Sequence, residues 1–121
     1  MKIHHNYTIT IAELLASERL ARWPRSSLYS VRSALRLLGR RVPIDKPIGL
    51  QDLPGLLDSL LLKEDGSLSK ASIWSRLTYR SRILRLAAEH ACHKSLSAWE
   101  ARWFFEQLNL RSANAEKGAQ Q

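Results

Sequence analysis

Arg32, Arg36 and Arg40 recur at every fourth position, and no acidic residue lies anywhere between Arg19 and Arg41. On a helix this spacing stacks three guanidinium groups along one face, where neighbouring like charges repel by about 0.2–0.5 kcal/mol per pair. Such a stripe calls for an anion to offset it. Guanidinium forks suit phosphate oxygens and base edges, which they grip bidentately. Arg25, Tyr29 and Arg41 belong to the same stretch and join the stripe as candidate contacts. A second acid-free stretch covers residues 66–88 and holds Lys70, Arg76, Arg80, Arg82 and Arg85. There Trp74 and Tyr79 interleave with Arg76 and Arg80, a mixture of cations and aromatic faces that nucleic acids can use. Aromatic side chains at helical spacing more often build a core, and Trp74 is expected to do so.

The remaining charge is arranged to make these two stretches stand out. The 121-residue chain carries 19 Lys+Arg against 11 Asp+Glu, a net charge of +8, and 13 of the basic residues are Arg. Residues 42–65 hold two lysines against five acids, and residues 89–121 hold four of each sign. Charge kept for solubility alone is interspersed with acids. Segregated charge favours one shared cationic face over two separately solvated helix faces, and an acidic partner, most often nucleic acid.

Other chemistries lack their residues. No glycine-rich phosphate loop, dinucleotide fingerprint or nucleophile elbow occurs, and the five glycines are scattered. Tyr7, Tyr29 and Tyr79 have no assignable His and Arg set around them, so no catalytic residue is expected. His90, Cys92 and His93 come nearest to a metal cluster, but zinc wants four ligands and no second pair stands at a suitable spacing. A histidine pair at a helix C-terminus is favoured by the helix dipole alone. Neither metal nor cofactor is expected. Trp99, Trp103 and Phe104 crowd one short segment. They either close the core or form a docking surface for another protein. The single cysteine excludes an internal disulfide framework, and no apolar run reaches 18 residues. A soluble, cytoplasmic, nucleoid-associated protein is the expectation, with no membrane or small-molecule partner.

Helices must position these residues. Thr10 with Glu13 has capping-box spacing and opens a helix over 11–22, which ends before Pro24. Ser26 or Ser27 caps a second helix, whose apolar stripe is Leu28, Val31, Ala34, Leu35 and Leu38 and whose end is marked by Gly39. A loop with Pro43 and Pro47 follows over 42–49. Asp52 then caps a short helix with Leu53, Leu56, Leu57, Leu60 and Leu61, and 64–67 is a turn. Ser69 caps a long fourth helix over 70–93. Its broad stripe runs Ile73, Leu77, Leu84, Ala87, Ala88 and Ala91, widened by Tyr79, Ile83 and Leu86, with Arg80 oddly inside it. Ser97 with Glu100 opens a fifth helix over 98–109. Only Tyr7–Ile11 alternates like a strand. The pattern predicts an all-α, four- to five-helix bundle over 10–110, with a flexible arm at 1–9 and a disordered tail at 111–121. Helices two and four should pack together, setting Leu28, Val31, Leu35 and Leu38 against Ile73, Leu77 and Leu84.

The order of these elements resembles the N-terminal core-binding (SAM-like) domain of tyrosine recombinases of the phage-integrase type. The matching stretches are Ser26-Ser27-Leu28 through Leu38-Gly39, Gly49-Leu50-Gln51-Asp52-Leu53 through Leu61, and Ser69 through Ala88. Arg76-Leu77-Thr78 and Ile83-Leu84-Arg85-Leu86-Ala87 form the heart of the last. The likeness covers residues 9–93 and is one of helix pattern. It implies a domain that clamps one side of double-stranded DNA at a recombination or integration site of a mobile element. Its second and fourth helices would approach groove and phosphates, and it would work with a catalytic domain or other recombinase subunits. The implied contacts are Arg25, Tyr29, Arg32, Arg36, Arg40, Arg41, Lys70, Arg76, Tyr79 and Arg80. The family's nucleophilic tyrosine and its helpers lie in a separate domain and have no counterparts here. The Trp-rich fifth helix departs from the family pattern and leaves a helical protein-interaction module as the alternative.

Overall fold

A computed structural model describes residues 7–59 and 73–108. Residues 1–6 of the expected arm at 1–9, with Leu60, Leu61, the turn at 64–67, Ser69, Lys70 and the tail, lie outside the described residues, whereas Thr8 and Ile9 of that arm form a short strand and Ile9 is buried. The chain forms β1 (Thr8–Ile9), α1 (Ile11–Leu15), α2 (Glu18–Ala21), α3 (Arg25–Leu38), β2 (Ile48–Gly49), α4 (Leu53–Leu57) and α5 (Ile73–Cys92). A last helix, α6, covers 98–108. This is a small all-α bundle, as the apolar periodicity predicts. Its two short strands pair antiparallel, with Thr8 opposite Gly49 and Ile9 opposite Ile48.

The first helix is two helices, not the single one predicted over 11–22. Thr10 starts α1 as expected, its hydroxyl accepting the Glu13 N–H at 3.0 Å. Ser17 then adopts an extended backbone, and its hydroxyl accepts the Arg19 N–H at 3.3 Å to start α2. The break has a packing cause. A straight helix would set Leu20 about 180° around from Ile11, yet both side chains are buried. Reorienting the chain at Ser17 turns both inward.

Neither Ser26 nor Ser27 caps α3, which starts at Arg25 with Pro24 in the cap position. Pro24 has no N–H to satisfy and a φ already near helical values, so it can lead the helix without a side-chain cap. Ser30 bonds back to the Ser26 and Ser27 carbonyls instead, at 3.2 and 3.1 Å. Val31, Ala34, Leu35 and Leu38 are buried and Leu28 is half-buried. Gly39 ends the helix where a Cβ would stand 3.0 Å from Ile44 Cγ2. This close approach lets the loop fold back, so that the Ala12 N–H reaches the Ile44 carbonyl at 2.9 Å. Asp52 stands at the N-cap of α4, but its side chain makes no capping hydrogen bond. Its backbone is helical, and its N–H donates to the Gly49 carbonyl at 3.0 Å.

Helices α3 and α5 pack together as predicted, but the burial on α5 lies further along. Ile83, Leu84, Leu86, Ala87 and Ala88 are buried, whereas Leu77 is 38 % and Trp74 is 77 % exposed. Both were expected in the core. The later turns of α5 hold the buried residues, while Trp74 and Leu77 in its first turns are exposed. His93, at a φ of 56°, ends the helix. The Ser97–Glu100 capping box forms in both directions at 3.1 Å, opening α6. Phe104 is buried at 2 % exposure and meets Phe105 edge-on. It is a core residue, because α6 lays Ala101, Phe104, Phe105 and Leu108 against the bundle. It therefore drops out of any docking surface.

Candidate nucleic-acid interface

The apolar stripe of α3 fixes where its arginines go. At about 100° per residue, Arg25, Tyr29, Arg32 and Arg36 fall within about 60° of one another, on a flank turned about 100–160° from Val31. Arg40 follows in the turn beyond the helix. Arg25, Arg36, Arg40 and Arg41 are exposed, Tyr29 is 59 % exposed, and Arg32 is half-buried. From Arg25 to Arg36 the stripe runs about 16 Å, at about 1.5 Å per residue.

Among the described residues, no recorded ion pair involves the guanidinium groups of Arg25, Arg32, Arg36 and Arg40. The recorded pairs join Arg80 to Asp58, Arg85 to Glu89 and His90 to Glu13. Arg41 has interactions within the chain and stands apart from those four.

The arginines of α5 are used differently. Arg80, which sits inside the apolar stripe, pairs through Nε with the Asp58 carboxylate. Arg82 Nη1 donates to Ser30 Oγ at 2.7 Å, bracing α5 against α3. Arg85 Nε donates to the Leu96 carbonyl at 2.9 Å and lies 3.4 Å from Glu89, and its guanidinium centre sits 5.2 Å from the Trp23 ring. Arg76 is half-buried, and its Nε is buried with no hydrogen-bond partner among the described residues. Tyr79 packs partly against the core.

Ser30 lies about 120–160° around α3 from Arg25, Arg32 and Arg36. Arg82 therefore meets α3 on a different flank from the arginine stripe. The structure brings Arg25, Tyr29, Arg32 and Arg36 together, while Arg80, Arg82 and Arg85 act as braces. The sequence reading missed Asp58, Glu89 and Trp23 as their partners. Only Glu89, four residues after Arg85, carried a local signal.

The histidines sit at the far end of α5. His90 Nε2 is 3.4 Å from Glu13 Oε2, and the His90 and His93 rings are 6.5 Å apart. With Arg19 and Arg22 they line an open cleft of about 470 Å³ beside α2. No group of three or more ligand-type side chains suited to a metal ion occurs among the described residues. Burial pushes the Cys92 thiol and the Tyr7 phenol above their ordinary pKa values, which favours the protonated form of both. Among the described residues no helix is long and apolar enough to cross a membrane. Compared with protein-family models, curated proteins and solved structures, the chain matches none.

Proposed function

We propose that this chain binds double-stranded DNA through the arginine stripe of α3, as a core-binding module of the site-specific recombinase type. The observation that carries the reading is the set Arg25, Arg32, Arg36 and Arg40, which share no ion pair among the described residues although their charges repel one another. Duplex DNA relieves that repulsion, because its backbone carries one negative charge per about 1.7 Å of axis. A stripe about 16 Å long thus runs along a length of duplex that holds on the order of ten phosphates on the two strands together. Tyr29, exposed within the stripe, adds a hydroxyl and a ring face. Contacts of this kind position a protein on DNA without reading sequence. On this reading the chain holds DNA while strand cleavage and joining belong to another domain.

The test is a titration of labelled duplex DNA with the whole chain at low salt. Arg36→Ala should weaken binding, while Arg111→Ala and Lys117→Ala, equal losses of charge outside the described residues, should leave it nearly unchanged. Equal losses at all three sites would reduce the attraction to net charge and remove the support for this reading.

A second reading rests on Trp99 and Trp103, which are 72 % and 38 % exposed on α6. Large aromatic side chains at a surface are the usual anchors of protein contacts. Alanine at both positions should then abolish association with a protein partner and spare DNA binding.

A further inference from the structure

A groove runs between the first turns of α5 and the start of α6. It consists of two hollows, of about 300 and 340 Å³, that share Ser81 and Ala98 in their walls. On the α5 side the wall is Trp74, Leu77, Ser81 and Leu84, and on the α6 side it is Ala98, Ala101 and Phe105. Both rows follow the alternating three- and four-residue spacing with which a helix meets another helix. Two small exposed side chains, Ser81 and Ala98, hold the middle above the buried Ala101 and leave room for large ones from outside. From Trp74 to Leu84 the wall spans about 15 Å, or about three helical turns. At one end of the groove Trp74 is 77 % and Leu77 is 38 % exposed.

The rim of the groove has a sign. Arg82 and Arg85 stand at one hollow, and Arg80, Arg102 and Glu106 at the other. Arg80 is paired with Asp58 and Arg85 with Glu89, so the charges left at the rim are Arg82 and Arg102 against Glu106, a small positive excess. Arg82 commits one nitrogen to Ser30, and a guanidinium has five N–H donors, so it retains others. The geometry points to this groove as a docking site for an acidic amphipathic helix of another protein. That helix would seat two large apolar side chains over Ser81 and Ala98 and turn carboxylates toward Arg82 and Arg102. A second copy of this chain would meet the rim with like charge. Phe105 is buried, so the recessed wall gives nucleic-acid bases little to stack on beyond Trp74.

The proposal is independent of DNA binding through α3, and its test keeps the two apart. The probe is a display library of amphipathic helices about four turns long, with leucine at three- and four-residue spacing and Glu, Lys, Gln or Ala elsewhere. Selection on the whole chain should enrich glutamate-rich helices that bind saturably. Trp74→Ala and Ser81→Phe alter exposed side chains, so an unchanged thermal melt certifies each fold. Each should weaken the selected helices by about tenfold or more, with duplex DNA affinity unchanged. Arg102→Glu should shift the selection toward lysine. Failure to enrich any helix, enrichment of lysine-rich helices on the parent chain, or equal affinity for the Ser81→Phe variant would overturn it. So would burial of Trp74 by self-association, or its fluorescence answering a single-stranded oligonucleotide and no helix.

Discussion

Glu89 is 1 % exposed, a buried charged side chain among the described residues, and its contacts explain its tolerance. One carboxylate oxygen accepts the Leu96 N–H at 3.3 Å and lies 3.4 Å from Arg85 Nε, so it ties the turn between α5 and α6 to both. Glu89→Leu would strand the buried Leu96 N–H. It should cost about 1–3 kcal/mol, read as a lower denaturant midpoint at unchanged slope. Arg80→Ala should cost less than about 1 kcal/mol by the same measurement, since its pair with Asp58 is open to water and screened. Glu100 gives a pH signature. The Ser97 backbone N–H, and after it the Ser97 hydroxyl, hold the exposed Glu100 carboxyl below its ordinary value. A carboxylate with a lowered folded pKa stabilises the fold above its unfolded pKa, about 4.3. That contribution is lost as the pH falls through the folded value. Glu100→Gln should therefore shrink the difference between thermal melts at about pH 7 and about pH 3. An unchanged difference would show that the carboxylate does not sense the cap.

At the scale of elements, α3 and α5 look alike in sequence and differ in the structure. Both carry an apolar stripe, yet Leu35 is fully buried and Leu77 is 38 % exposed. Leu35→Ala should cost about 2–5 kcal/mol, whereas Leu77→Ala should cost less than about 1 kcal/mol. Equal losses in parallel urea melts would return Leu77 to the core. Periodicity tells which face of a helix is apolar, and it does not tell how much of its length another element covers. That is why the burial of Val31, Ala34, Leu35 and Leu38 was legible and the exposure of Trp74 and Leu77 was not. Capping chemistry was legible where both partners lie within one turn, as at Thr10 and Ser97. It misled at Ser26 and Asp52, where Pro24 and the Gly49 carbonyl do the local work. The break at Ser17 follows from burying Ile11 and Leu20 together, a demand made by the assembled core. The candidate site divides in the same way. The α3 stripe is written in four-residue spacing, whereas the partners of the α5 arginines come from distant positions such as Ser30 and Asp58.

For the whole molecule the question is whether its charge of +8 acts as a sum or as a pattern. A sum predicts that any lost cation weakens DNA binding equally, wherever it lies. A pattern predicts inequality, because only cations held against phosphates release counterions. If Arg25, Arg32, Arg36 and Arg40 each neutralise a phosphate, log affinity should fall against log salt with a slope of about −4. Arg36→Ala should then weaken binding and make the slope shallower by about one. Arg82→Ala should do something else. It breaks the 2.7 Å bond to Ser30, so it should lower stability by about 0.5–1.5 kcal/mol and leave the slope unchanged. Arg36 has a second way to act. A guanidinium reading a guanine edge discriminates among sequences by about 1–3 kcal/mol, and its loss would flatten preference between sites at a constant slope. Titrating parent, Arg36→Ala and Arg82→Ala against two duplexes at several salt concentrations separates these outcomes. A parent slope near zero, or a loss shared equally by Arg36 and Arg82, would mean that the stripe does not hold DNA.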